Sequence, residues 1–350
     1  MTKTITPSEL SGSREIKGAS PDAIMQLGFG YWASKTLLSA VELGLFTELA
    51  GGPLDDESIA KGLKLHSRGL HDFLDALVAL GMLTKSGGRY ANTLETAHFL
   101  DRNKVSYIGG FLQMSSVRLY SFWGNLTEAL RTGEPQNEAK QGRDLFDEIY
   151  KNPEHLRSFL KAMTGISLRP AAVIAQKFPW SSYKSFADIG AAEGCIPAAV
   201  AKAHPHLNGI GFDLPGVQPH FEAYIAAHNL SSRVSFKGGD FFAHPLPGAD
   251  VLIMGRILHD WSVARRRELI GKAFAALPDK GALLIYETII DDDRRQNAFG
   301  LLMSLNMLIE TREGADYTGA DCIGWMNEAG FRETRVEHLL GPDSMVIGIK

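Results

Sequence analysis

Apolar residues fall at helical spacing up to about residue 175; beyond it, short strand-like runs alternate with helical ones. The first strongly apolar stretch, AIMQLGFGYWASKTLLSAVELGLFTELA from Ala23, carries few charges and is interrupted at Gly28, Gly30 and Gly44. It predicts two or three helical pieces that lack the polar face of a solvated helix, and so lie in a core or a subunit interface. In LDDESIAKGLKLHSRGLHDFLDALVALGMLTKSGGRYANT, Asp55 and Asp56 supply a helix start and Ile59 and Leu63 continue the apolar stripe. Ser67 is placed to cap a second helix, on which Leu70, Phe73, Leu74, Leu77 and Leu80 recur. Two short runs, Met82–Lys85 and Arg89–Asn92, flank Ser86, Gly87 and Gly88, a hairpin turn signal. Helix, turn, helix, hairpin is a winged-helix order. Residues 100–175 return to helical spacing, with aromatics clustered at Tyr120, Phe122 and Trp123.

Near residue 180 the period changes. SFADIG, GIGFDL, VSFKGGD, ADVLIMGRIL and GALLIYETII alternate with helical runs such as IPAAVAKAH and RRRELIGKAFAAL. Five short apolar strands joined by helical crossovers predict an α/β fold with a parallel, doubly wound sheet. The last two runs, GFRETRVEHLL and SMVIGIK, flank Gly341, Pro342 and Asp343 and read as an antiparallel hairpin closing that sheet. The change of regime puts a boundary between halves near Ser167–Tyr183, with no Gly/Ser-rich linker, so the halves are expected to pack together.

Composition narrows the function classes. The chain has 350 residues, 45% hydrophobic and 22% charged, which is globular and long enough for about two domains. Thirty-six basic against 40 acidic side chains give a net charge of −4, without the basic excess that binding nucleic-acid phosphates uses. Two cysteines, Cys195 and Cys322, make no disulfide framework, and no Cys/His spacing suggests a metal site. The first 20 residues are polar, and no run approaches the ~20 apolar residues of a membrane span. A flexible N-terminal arm over 1–20 and a cytoplasmic protein with no membrane partner are expected.

Chemistry concentrates at the strand ends. FADIGAAEG closes the first strand and opens a helix, but the dinucleotide pattern of three glycines would need them at 190, 192 and 195, where the chain has Gly190, Ala192 and Cys195. Gly190 and Gly194 still permit a close backbone approach without specifying a pyrophosphate cradle. Asp213 ends the second strand, where a carboxylate can accept from a ribose diol. Asp240 and Phe241 end the third and can frame an adenine with an acceptor and an aromatic face. Together the three strand ends describe a nucleoside site without a pyrophosphate.

The runs DIGAAEG, GFDLPGV, GGDFF, GRILHDWS, ALPDKGALLIYE and DYTGADCIGWMNEAGFRE, in that order, resemble the small-molecule O-methyltransferases dependent on S-adenosylmethionine. Plant caffeate-type, acetylserotonin-type and bacterial antibiotic-tailoring enzymes belong to that family. The resemblance covers most of the chain, and ILHDW followed by ALPDKG is its most specific part. It implies a Rossmann-like seven-stranded methyltransferase sheet with an N-terminal all-helical winged-helix dimerisation domain, hence a homodimer. The expected division is a dimerisation domain at 21–100, a helical connector contributing to the substrate pocket at 101–175, and a cofactor-binding catalytic domain at 176–350. Carried over by residue, Gly190 falls in the cofactor turn, Asp213 on the ribose ligand, and Asp240 and Phe241 beside the adenine. Arg256 stands beside Gly255, where plant members often have a cofactor-touching lysine. His259 falls on the catalytic base, and Glu287 and Asp316 on the two acids that orient it, the second being commonly glutamate in the family.

The residue types suit that chemistry. A phenol, with a pKa near ~10, is scarcely ionised at neutral pH, whereas an imidazole near ~6.5 is mostly neutral and can take its proton. A carboxylate behind the other ring nitrogen fixes the tautomer. LLMSLNMLIE at 301–310 reads as a helix presenting Met303, Asn306 and Met307, and Met307 matches a family position that packs on the substrate ring. With Asp260, Phe122, Trp123 and Met163 these are the expected lining of an acceptor pocket, to which Tyr31 and Trp32 of a partner subunit are further candidates. C- or N-methylation on the same scaffold stays open at this point. A nicotinamide oxidoreductase is disfavoured by the missing glycines, and a DNA-binding regulator by the acidic Asp72 and Asp75 on the would-be recognition helix.

Overall fold

The computed structural model describes residues 19–141 and 149–350, so all but the last two residues of the arm expected over 1–20 lie outside it. The apolar stretch after Ala23 forms three pieces, Asp22–Gly28, Gly30–Leu43 and Leu45–Glu48, with the second break at Gly44. Asp55 caps the helix Asp56–Leu63 by accepting from the Ser58 amide at 2.8 Å. The next helix, Leu70–Ala79, starts later than expected: Gly69, not Ser67, takes the capping position. Leu74, Leu77, Ile59, Phe46 and Tyr90 are buried together and form the core of this region.

The region is not all-helical. The hairpin pairs β2 (Leu83–Ser86) with β3 (Arg89–Asn92), and a two-residue strand, β1 (Leu54–Asp55), adds to β3. Two residues carry no readable period, which is why β1 is invisible in the pattern. The first helical piece and the start of the second are not core either, although Leu38, Ala40 and Val41 toward the end of the second are buried. Ile24, Met25, Leu27, Phe29, Tyr31 and Trp32 are exposed in the single chain, Leu27 at 83% and Trp32 at 58%, leaving a second subunit as the expected cover.

The C-terminal half is a seven-stranded sheet in the order β6-β5-β4-β7-β8-β10-β9. Its strands are β4 (Ser185–Ile189), β5 (Asn208–Asp213), β6 (Val234–Gly238), β7 (Val251–Gly255), β8 (Ala282–Glu287), β9 (Glu333–Leu340) and β10 (Asp343–Ile349). Neighbours from β6 to β8 are parallel, while β10 runs antiparallel to both β8 and β9. All six residues of β8 are buried, as expected of a parallel strand covered on both faces. The edge strand β9 exposes Glu333, Arg335 and His338, and charged side chains there blunt its free edge. Chain order reverses at β4, so the carboxyl ends of β4, β5 and β7 flank the crevice where open α/β sheets bind ligands. The 25-residue helix Pro153–Lys177, capped by Asn152, runs through the boundary expected at 175/176 and packs on the sheet domain and the preceding helices. No helix among the described residues is long and apolar enough to cross a membrane.

Candidate active site

Two cavities open at the carboxyl edge of the sheet. One, about 480 Å³, is bounded by the ends of β4, β5 and β7 and contains all five residues expected to hold the cofactor: Gly190, Asp213, Asp240, Phe241 and Arg256. The other, about 1020 Å³, lies between the connector helices and the helix Ala298–Glu310. Phe159, Met163, Thr164, Arg256 and Asp260 line both, so the two spaces adjoin.

The smaller cavity has the features of a nucleoside site. The β4 strand turns sharply at Gly190 (φ 76°), a left-handed conformation that favours glycine, and a Cβ there would displace the end of the Ile257 side chain, whose Cδ1 lies at 2.3 Å. Ala192 follows with φ 46°, an unusual conformation for a non-glycine residue. The Asp213 carboxylate accepts from the Ala192 amide at 2.9 Å, the Leu214 amide at 2.7 Å and the Tyr150 hydroxyl at 3.3 Å. Burial pushes the Asp213 carboxyl up, and these hydrogen bonds oppose that shift. Asp240 accepts from the Phe242 amide at 2.7 Å. Phe241, Phe242 and Trp261 pack edge to face, with centroids 4.7–6.0 Å apart, and form an aromatic wall. Arg256 has its guanidinium tied to Asp343 at 2.9 Å, so it reaches the cavity as half of an ion pair rather than as a free cation. A buried carboxylate acceptor, an aromatic wall and a volume within the usual range for small-ligand sites fit an adenosine-bearing cofactor.

The larger cavity carries His259. The turn Leu258–Asp260 follows β7 and places the buried ring on the cavity wall. Its Nδ1 lies 3.4 Å from Asp316 Oδ1 and 4.0 Å from Glu287 Oε2, and its Nε2 3.8 Å from Asp260 Oδ1. The sequence-predicted trio is therefore assembled from β8, the turn after β7 and the segment before the helix Gly319–Ala329. Ligand-capable atoms of all three residues lie within 4.8 Å of one another. The two acids divide the work differently from expectation. Glu287 Oε1 accepts from the Leu258 and His259 amides at 2.8 and 3.3 Å, holding the turn, while Asp316 stands nearer the ring. Asp316 in turn accepts from the Thr288 hydroxyl at 3.3 Å.

This environment corrects the expectation of an imidazole near 6.5. Burial opposes a charge on His259, but the carboxylates of Glu287, Asp260 and Asp316 outweigh it and push its pKa up to about 10. Burial also pushes Glu287 up, and Asp260 to about 7, while the charge of His259 opposes both shifts.

Of the expected acceptor-pocket residues, Met303, Asn306, Met307, Phe122, Met163 and Asp260 line the larger cavity. Trp123 does not: its indole Nε1 donates to Asn306 Oδ1 at 2.9 Å and holds that side chain from behind. Several residues escaped the sequence reading. Phe242 and Trp261 lie inside the runs GGDFF and GRILHDWS but are not singled out there, whereas Tyr150 on Asp213 carries no motif or periodic signal. The same is true of Arg118, whose guanidinium grips Glu310 at 2.7 and 2.8 Å across the larger cavity.

An O-methyltransferase domain profile matches residues 123–332, and an O-methyltransferase dimerisation domain profile matches residues 25–101. The tetracenomycin polyketide synthesis 8-O-methyl transferase TcmO of Streptomyces glaucescens is 44% identical, over 94% of this chain and 97% of its own length. The N,N-dimethyltransferase OxyT of Streptomyces rimosus is 36% identical over 95% of this chain and 97% of its own. Human N-acetylserotonin methyltransferase in complex with SAM superimposes with a TM-score of 0.88 at 27% identity, covering 97% of this chain and 99% of that one.

Proposed function

The chain belongs to the S-adenosylmethionine-dependent O-methyltransferase family, and we propose that its acceptor is a phenolic hydroxyl of a small aromatic metabolite, deprotonated by His259. One observation carries this reading: the His259 ring sits on the wall of the larger cavity with Nδ1 turned to Asp316 and Glu287, beside Asp260, which lines both cavities. Asp213 would hold the ribose hydroxyls of the cofactor and Asp240 and Phe241 its adenine, while Gly190 would let the main chain approach it closely and Arg256, paired with Asp343, would line the same cavity. When bound, S-adenosylmethionine supplies a methyl carbon on a cationic sulfur with a neutral leaving group.

The rest is left to the protein. A flat ring suits a cavity walled by Phe122, Met303 and Met307, where aromatic and thioether surfaces meet the acceptor's faces. In the neutral form of the ring, which the raised pKa makes the minor one at pH 7, Nδ1 carries its proton toward Asp316 and Nε2 accepts from the acceptor hydroxyl. The imidazolium so formed is stabilised by the same carboxylates that raise its pKa. Glu287 contributes by holding the turn through its two amide contacts.

Incubation with methyl-¹³C-labelled cofactor and a panel of naphthalenes and anthracenes that bear both hydroxyl and amino groups, read by NMR, tests the acceptor assignment. The label is expected on oxygen. A product labelled only on nitrogen or ring carbon would contradict the assignment, the nitrogen product favouring the chemistry named for OxyT.

The exposed apolar row from Met25 to Trp32, inside the matched dimerisation segment, supports a homodimer. Light scattering at micromolar concentration is expected to give about twice the chain mass of 38.2 kDa; the single-chain mass would overturn it.

A further inference from the structure

Arg266 belongs to neither cavity, yet it reaches the catalytic turn from behind. It sits in the helix Val263–Ala276 and is only 3% exposed. Burying a guanidinium is costly unless its donors are satisfied. Here they go to main-chain carbonyls. Nε donates to Leu258 O at 2.9 Å and Trp261 O at 2.8 Å, and Nη2 donates to Ala315 O. The rings of Tyr317 and Trp325 lie against the guanidinium, with centroids 4.9 and 5.3 Å from its central carbon.

The three carbonyls identify what is being held. Leu258 and Trp261 bracket His259, and Ala315 immediately precedes Asp316. The ring and the carboxylate that meet at 3.4 Å therefore sit on two segments far apart in sequence, joined through one planar fork. The backbone adds one direct tie, the Ala315 amide donating to His259 O at 2.9 Å. Gly314 keeps the segments close, since a Cβ there would fall 2.6 Å from His259 O. Nothing in the sequence pattern singles out Arg266 from its neighbours Arg265 and Arg267.

We propose that Arg266 is a positioning residue for methyl transfer, clamping the histidine turn to the Asp316 segment so that Nδ1 faces its carboxylate. This rests on the reading of His259 as the base. The positive charge of Arg266 also pulls down the Glu287 carboxyl against the effect of burial. Lysine retains the charge but cannot span three carbonyls with a planar fork.

The test is Arg266→Lys in the full-length protein, beside His259→Ala. A displacement of about 1 Å in a catalytic group can cost roughly 10²-fold in rate. Arg266→Lys is expected to lower kcat roughly ten- to hundredfold, with S-adenosylhomocysteine affinity and acceptor KM within about twofold of wild type. The pH limb of kcat/KM should move down, because a ring no longer aligned with its carboxylates drifts toward its ordinary value. A merely structural role would lower the melting temperature and leave that limb in place. A folded Arg266→Lys protein with wild-type kcat and an unmoved limb overturns the proposal. Should that variant not fold, Trp325→Leu keeps the guanidinium and its carbonyl partners but removes one enclosing ring. The same losses are then expected in smaller measure, and an unchanged kcat and limb overturn the proposal. Wild-type turnover in His259→Ala instead defeats the base assignment, and the clamp falls with it. An inactive His259→Ala with a normal Arg266→Lys defeats the clamp alone.

Discussion

Replacing His259 with alanine is expected to lower kcat by roughly 10²–10⁴-fold, the usual contribution of a positioned general base, while leaving affinity for S-adenosylhomocysteine close to wild type. The two effects separate because of where the ring lies. His259 lines the larger cavity, whereas the smaller one is bounded by its neighbours Ile257, Asp260 and Trp261. The substitution also leaves the buried carboxyls of Glu287 and Asp316 without the imidazolium between them. Glu287, already raised by burial, is then expected to take up a proton rather than remain charged. His259→Gln, which keeps a polar group of similar reach, serves as the control for that disturbance. Steady-state rates, calorimetric titration and thermal melting on both variants check the prediction. Near-normal turnover would remove His259 from the chemistry, and a parallel loss of cofactor affinity would show that the substitution acts through the fold.

Asp213→Ala has the second large expected effect, on affinity for the cofactor instead of on the chemical step. Hydrogen bonds to a charged group contribute about 1.5–3 kcal/mol each, so losing the acceptor for two ribose hydroxyls should weaken binding by roughly 10²-fold or more. In the free protein the same carboxylate holds the amides of Ala192 and Leu214, and with them the turn after β4. Alanine therefore removes both the acceptor and the brace that shapes the turn. Asp213→Asn retains one acceptor oxygen at the same size and is expected to fall between the two. Titration with S-adenosylhomocysteine reads this directly; an unchanged Kd in Asp213→Ala would take the ribose assignment away.

Much of the sheet is legible in the sequence because burial on both faces leaves uninterrupted apolar runs, such as ALLIYE, between clear turns. The chemistry of the strand ends follows, since strand ends of a parallel sheet converge on one edge. What is not legible depends on contacts between distant segments. Tyr150 reaches Asp213, and Trp123 reaches Asn306 instead of the cavity, through side-chain bonds that have no period. Arg266 binds carbonyls, which every residue possesses, so no partner residue type betrays it. The raised pKa of His259 is hidden for a related reason: its carboxylates come from three separate segments, and only the fold brings them to one ring.

The most direct test of an enzyme-borne base is the pH dependence of kcat/KM, measured with a series of phenols whose own pKa values differ. This quantity reports the titrating groups of the free enzyme and free acceptor. Because the carboxylates hold His259 in its protonated form up to about 10, the fraction of enzyme able to accept a proton grows as pH rises toward that value. The account predicts a rising limb with a midpoint well above ~6.5 for acceptors that titrate higher than the ring, and absent from His259→Ala. A limb that instead follows each phenol's own pKa, and survives the loss of His259, would mean that the acceptor ionises without the enzyme's help.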